Sequence, residues 1–159
     1  MKHVAEGVAG IVLAVVLHTV LGKLSASLLV IVNAFSWVVL YFGLARHEVF
    51  GALMGTACGL LQDSFSLGIF GAGGLTKTLL GFGAGYISRK INVTPMTRTF
   101  IFALVIAAAE LLLWKSLVLF LFGGSFSASG GLIFLQPLVT ALFVTIAFQV
   151  RQRTEARRS

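Results

Sequence analysis

Few side chains in this chain of 159 residues have the types and spacing that chemistry requires. It has five acidic residues, three histidines and one cysteine, and it contains no HExxH, G-x-S-x-G or phosphate-loop pattern. The ionisable side chains that stand out fall within or beside apolar runs: Asp63, Lys77, Glu110 and His18. We therefore expect no enzymatic activity, no cofactor and no metal, and a protein that acts by binding.

The composition indicates a membrane protein. Hydrophobic residues make up 58% of the chain, charged residues only 11%, and the mean hydropathy is +1.01, whereas soluble domains have about 25% charged residues. A membrane crossing takes about 20 apolar residues, so the chain has room for about five or six crossings. We expect an all-α polytopic integral membrane protein in which residues 1–150 form a bundle of six transmembrane helices and residues 151–159 form a basic tail.

The apolar runs predict six spans, at residues 4–22, 25–44, 49–62, 73–88, 97–122 and 132–150. The first run resembles a signal peptide, but we expect a retained span because further spans follow at once. Spans three and four are short and rich in glycine, which is typical of a tight helical hairpin or of re-entrant helices at a functional site. We favour the hairpin, and we expect a flexible loop at 123–131.

The basic residues predict the orientation. The net charge is +7, and six crossings bring nine of the twelve basic residues to the side of both termini: Lys2, Arg46, Arg89, Lys90, Arg98, Arg151, Arg153, Arg157 and Arg158. By the positive-inside rule both termini are cytoplasmic. In a soluble protein this charge would suggest nucleic acid, but here it is an orientation signal. The basic tail either contacts anionic lipid or a partner, or acts only as a stop-transfer signal.

The stretch 51–90 carries glycines at helical spacing on both legs of the predicted hairpin. They are Gly51, Gly55 and Gly59 on the first leg and Gly74, Gly81 and Gly85 on the second. Residues three or four apart share a helix face, so each leg has a smooth glycine strip. The strips allow close packing between the two legs, which we favour, or against the helix of a partner.

Each leg of this hairpin also carries one charge. Asp63 and Lys77 lie about equally far from the turn near Ile69, so a hairpin would bring them nearly level. Ionisable groups inside a bilayer are costly and need a partner or a wet cavity. We hypothesise that Asp63 and Lys77 form a salt bridge near the outer end of the hairpin; the alternative is that each reaches interfacial water separately.

Glu110 lies deepest in the membrane. It stands 13 residues into the fifth span, about 20 Å deep at 1.5 Å per residue. Lys115 points to another face and can extend outward, so we expect the partner to come from another helix, with His18 and Asn33 as candidates. Glu110 is either a ligand or partner contact, or a protonated side chain with a hydrogen bond inside the bundle.

The pattern of the hairpin resembles the MreD family of bacterial rod-shape-determining membrane proteins. The resemblance rests on Gly51-x3-Gly55-x3-Gly59-Leu-Leu-Gln-Asp63, Leu67-Gly-Ile-Phe-Gly71 and Leu-Leu-Gly81-Phe-Gly-Ala-Gly85-Tyr-Ile-Ser-Arg89. It implies a multi-pass protein of the bacterial inner membrane with a non-enzymatic part in cell-wall elongation. The implied partners are MreC first, then RodA, its cognate penicillin-binding transpeptidase and MreB, together with membrane lipid and no nucleic acid.

The MreD family is also similar in architecture to the substrate-binding S components of energy-coupling-factor vitamin transporters. That similarity gives the alternative function. It implies an outward-facing pocket where Asp63, Lys77 and the 64–74 loop meet, although the turn supplies only two aromatic residues, Phe65 and Phe70.

Overall fold

A computed structural model describes residues 2–65, 70–122 and 130–157, and every regular element in those ranges is helical. The elements are α1 (Lys2–Leu24), α2 (Ala26–Ile31), α3 (Ala34–Ala45), α4 (Glu48–Phe65), α5 (Ala72–Lys90), α6 (Met96–Phe122), a 3₁₀ helix (Gly130–Leu135) and α7 (Gln136–Ala156). Four helical segments are long and apolar enough to cross a membrane: Val4–Leu24, Ala26–Ala45, Met96–Phe120 and Gly131–Thr154. In the described ranges the predicted all-helical fold is thus confirmed, with four segments that have the length and apolar character of membrane-spanning helices.

The second predicted span is broken in the middle. Val32 has an extended backbone, and the side chain of Asn33 accepts a hydrogen bond from the backbone N–H of Ser36 at 3.2 Å. An asparagine side chain that binds its local backbone competes with a continuous helix and favours a new helix start. The prediction treated 25–44 as one helix, whereas the structure has α2 and α3.

The last α-helix begins later and ends later than the predicted span 132–150. Residues 130–135 form the 3₁₀ helix, so Pro137 lies in the first turn of α7, where its missing N–H breaks no helical hydrogen bond. The helix then continues to Ala156, so most of the predicted basic tail is its helical extension. The predicted loop at 123–131 and the turn near Ile69 fall largely on residues 123–129 and 66–69, outside the described ranges.

α4 and α5 form a hairpin in which the two backbones touch. A β-carbon added at Gly55 would lie 2.1 Å from the carbonyl oxygen of Lys77, and one added at Gly51 would lie 2.3 Å from that of Gly81. Real β-carbons do not approach a carbonyl so closely, so only glycine fits these positions. Gly59, Gly81 and Gly85 meet backbone atoms of the facing helix in the same way, whereas Gly74 meets the side chain of Leu60.

α3 is the centre of the bundle. It packs against α1, α4, α5 and α7, and buried apolar side chains lie on both of its sides. One group joins α3 to α5, α6 and α7 through residues such as Leu40, Leu80 and Val144. The other joins it to α1 and α4 and includes Phe35 and Cys58. Cys58 is fully buried in this second group, where it acts as a small packing residue.

Candidate functional site

A buried ionic cluster ties three helices together. Lys77 on α5 forms an ion pair with Glu110 on α6, and its Nζ donates a hydrogen bond to Oγ of Ser36 on α3 at 2.7 Å. The Ser36 hydroxyl in turn donates to Oε1 of Glu110 at 2.6 Å. All three residues are buried, so the two opposite charges face each other in a medium of low dielectric constant.

This pairing corrects both predictions about the membrane charges. The partner of Lys77 is Glu110 and not Asp63, and the partners of Glu110 are Lys77 and Ser36 and not His18. Lys77 lies 13 residues before the end of α5 and Glu110 lies 14 residues after the start of α6. The turn at 91–95 joins these two helices, so both residues stand about 20 Å from it. The prediction measured Lys77 from the outer turn instead, and so it missed that the two residues are level.

Asp63 closes the hairpin through backbone amides, and no cation pairs with it among the described residues. Its Oδ2 accepts hydrogen bonds from the backbone N–H groups of Gly71 at 2.8 Å and Gly74 at 3.1 Å, and its Oδ1 accepts from that of Gly73 at 3.2 Å. These amides stand at the start of α5, where the helix dipole favours a negative charge and the N–H groups have no helical acceptor. Gly71 itself offers no side-chain cap, so the carboxylate of α4 caps α5 in its place.

The cap requires small residues at the start of α5. A β-carbon at Gly73 would lie 2.3 Å from Oδ1 of Asp63, and Gly71 has a φ of 100°, which favours glycine. The sequence Gly71-Ala-Gly-Gly74 is therefore the docking site for one carboxylate.

His18 lies away from the ionic cluster. Its ring packs against those of Phe35 and Phe65, with centroids 5.3 Å and 5.2 Å away. Asn33 caps α3 and lies nearer to the cluster, on the wall of the cavity beside it. The structure therefore gives His18 an aromatic packing role against α3 and α4.

A cavity of about 250 Å³ lies beside the Lys77–Glu110 pair. Its polar lining consists of Asn33, Gln62, Thr76, Lys77, Glu110 and Gln136. Fixed opposite charges with amide and hydroxyl groups around them suit a small polar molecule, or water. The sequence prediction missed Gln62, Thr76 and Gln136; the signal for all three was an uncharged polar residue inside an apolar run. The predicted pocket also included Asp63, which does not line this cavity.

Comparisons with protein-family models, with curated proteins and with solved structures find no match to this chain. The fold and the site of the described residues define a class: an all-helical protein with helices long and apolar enough to cross a membrane, a glycine-packed hairpin and a buried ionic cluster. The resemblance to the MreD family stays a prediction.

Proposed function

We propose that this chain is a non-enzymatic membrane protein of the MreD type, which binds MreC and helps couple it to peptidoglycan synthesis by RodA and its cognate transpeptidase, with MreB on the cytoplasmic face. The observation that carries the proposal is the α4–α5 hairpin. Several of the residues that bear the resemblance have a physical task there, because the glycines of α4 admit the backbone of α5 and Asp63 caps that helix. The pattern therefore encodes one supersecondary unit.

We further propose that α4 and α5 also cross the bacterial inner membrane, which makes six crossings with both termini in the cytoplasm. The two helices have 18 and 19 residues, about 27 and 28 Å at 1.5 Å per residue, close to the 30 Å of a hydrocarbon core. Reporter fusions test this topology. A cytoplasmic reporter should be active after residue 159 and inactive when inserted between residues 66 and 69, and the opposite pattern would overturn it.

The outer face of α5 is the surface that we assign to the partner. The six glycines of the two strips face the opposite leg of the hairpin, where they pack against it. The other side of α5 presents an exposed apolar stripe, Leu75, Leu79, Phe82 and Tyr86, in which the rings of Phe82 and Tyr86 stack at 6.2 Å. Its spacing of four, three and four residues matches the seam along which two helices pack.

Photocrosslinking tests this assignment. A benzoylphenylalanine at Leu79 should crosslink to co-produced MreC, whereas the same probe at Leu112, which is equally apolar and 64% exposed on α6, should not. Equal yields at both positions would remove α5 as the partner surface. Purification of the tagged protein with an ATPase and a vitamin, and without MreC, would overturn the proposed function itself.

The cavity beside Lys77 favours one second candidate function, that of a substrate-binding S component. The volume of about 250 Å³ and the polar lining suit a small zwitterionic or amide-bearing molecule. Mass spectrometry of small molecules released from the purified protein tests this. A stoichiometric compound that is lost in a Gln136→Leu variant supports it, and a protein that releases none speaks against it.

A further inference from the structure

A long apolar groove runs between α1, α3 and α7 on the side of the bundle away from the ionic cluster. Its volume is about 600 Å³. Much of its lining consists of small residues on the three helices: Ala9, Gly10, Ala14, Ala34 and Ala147. Trp37 and Phe143, which stack with ring centroids 4.1 Å apart, form part of its wall. The groove is therefore an apolar space between three helices, with a volume that suits a flexible apolar chain.

One end of this groove is charged. A second cavity of about 330 Å³ shares Glu6, Tyr41, Ala147 and Val150 with the groove and adds Arg46, Arg151 and Thr154 to the lining. The two spaces therefore adjoin each other. Arg46 is paired with Glu6 at 2.5 Å, and the lining of this second cavity holds two guanidinium groups and one carboxylate, which is a formal charge of +1.

The groove has the length of one membrane leaflet. Along α1 the residues that line it extend from Glu6 to Leu17, a distance of about 16 Å at 1.5 Å per residue. Half of a hydrocarbon core of about 30 Å is about 15 Å. In the proposed topology Arg46 and Arg151 stand at the cytoplasmic surface of the membrane, so the apolar groove beside this charged cavity would extend over about the depth of one leaflet.

We propose that this site binds one anionic phospholipid, with its phosphate between Arg46 and Arg151 and one acyl chain in the groove against Trp37. Guanidinium groups suit phosphate because they donate two parallel hydrogen bonds to its oxygens. The exposed Arg153 in the last turn of α7 and the exposed Arg157 just after that helix add to the attraction of the surface for anionic headgroups. A transmembrane helix of a partner would fill the apolar groove without needing the charged end, so the dependence on headgroup charge separates the two occupants.

The two tryptophans of the chain make the proposal measurable. Trp37 lines the groove, and Trp114 lines the polar cavity at the ionic cluster. A Trp114→Phe protein therefore reports on the groove alone, and a Trp37→Phe protein is the matched control. Each is reconstituted in phosphatidylcholine vesicles that contain a minor fraction of brominated phosphatidylglycerol or of brominated phosphatidylcholine, because bromine on an acyl chain quenches a nearby indole.

The Trp37 fluorescence should report a binding preference of about fivefold for phosphatidylglycerol, as expected for about one basic residue at a membrane surface, while Trp114 should show none. Arg151→Gln should abolish the preference at Trp37, Arg151→Lys should retain most of it, and Lys90→Gln, which removes a charge from α5, should leave it unchanged. Equal quenching of Trp37 by both brominated lipids would overturn the proposal. Absence of quenching by either lipid would overturn it too, since the groove would then be filled by protein.

Discussion

The α4–α5 hairpin and helix α1 represent opposite ways of holding a helix in this bundle. In the hairpin, glycines meet backbone carbonyls, and the charges inside it are satisfied by Glu110, Ser36 and the amides of α5. In α1, only 11% of the most apolar 18-residue window is buried, against 50% for the segment of α2 and α3. Lipid is as apolar as leucine, so apolar side chains alone give little drive for helices to associate. Close backbone contacts and buried polar interactions stabilise the hairpin, whereas α1 has few interactions of either kind.

The glycines of α1 and those of the hairpin differ in the atoms that they contact. β-Carbons at Gly7 and Gly10 of α1 would meet the side chains of Met54 and Phe42 at 3.1 Å and 2.8 Å, and side chains can move. A β-carbon at Gly55 would meet a backbone carbonyl, which cannot move without the helix. The same residue type therefore marks a rigid contact in one region and an adaptable one in the other.

The largest effect should come from breaking the buried ion pair. Lys77→Met leaves the carboxylate of Glu110 buried without its cation, and removal of one partner of such a pair costs about 3–5 kcal/mol. The free energy of unfolding, measured by denaturant titration in detergent micelles, should fall by this amount. The double variant Lys77→Met/Glu110→Leu should recover most of the loss, because it removes both charges.

A double-mutant cycle sharpens this result. Lys77→Met and Glu110→Leu should be strongly coupled, whereas Lys77→Met and Asp63→Asn should be nearly additive, because Asp63 bonds to the amides of α5. Strong coupling between Lys77 and Asp63 would instead support the pair expected from the sequence.

A methyl group at the helix contact should have the next largest effect. Gly55→Ala forces α4 and α5 apart, and overpacking of this kind costs about 1–3 kcal/mol. Gly7→Ala on α1 should cost less than half as much, since side chains give way. Gly83→Ala, which meets nothing within 4 Å, should be neutral or slightly stabilising because alanine favours the helix. Thermal unfolding of the three variants measures these differences, and equal losses for Gly55→Ala and Gly7→Ala would erase the distinction between the regions.

Removal of the cap of α5 should cost less than either. Asp63→Ala leaves three backbone N–H groups without an acceptor and should lower the free energy of unfolding by about 1–2 kcal/mol. Asp63→Asn keeps one acceptor oxygen and should lose about half as much. Ser25→Ala is the matched control near α1, because Ser25 is a neutral cap with a single bond at 3.2 Å. Denaturant titration should rank Asp63→Ala, Asp63→Asn and Ser25→Ala in that order, and a Ser25 effect as large as that of Asp63 would contradict it.

The sequence predicted the hairpin better than it predicted its partners. Glycine spacing is a local pattern, so it indicated where two backbones could touch. The Lys77–Glu110 pair depends on how far each residue lies from the turn at 91–95 that joins α5 and α6. The prediction measured Lys77 from the outer turn and Glu110 from the opposite side of the membrane. The helix break at Asn33 was missed for another reason, since one polar residue hardly lowers the hydropathy of a span. The polar cavity joins Asn33 and residues from six separate helical elements, which no local pattern encodes.

The smallest effect should follow from loss of the ion pair between Glu6 on α1 and Arg46 at the end of α3. Glu6→Gln removes the ion pair with Arg46, but the side chain of Glu6 is 53% exposed, and such pairs contribute about 0–1 kcal/mol. Global unfolding should therefore hardly change, while hydrogen exchange of the amides in 4–24 should become faster because α1 opens locally. Glu48→Gln, which breaks the pair with Arg89 at 3.0 Å in the hairpin, is the control and should leave exchange in α4 unchanged. If Glu6→Gln lowers global stability by more than about 2 kcal/mol, α1 is held as firmly as the hairpin, and the groove beside it is a rigid wall instead of an adaptable site.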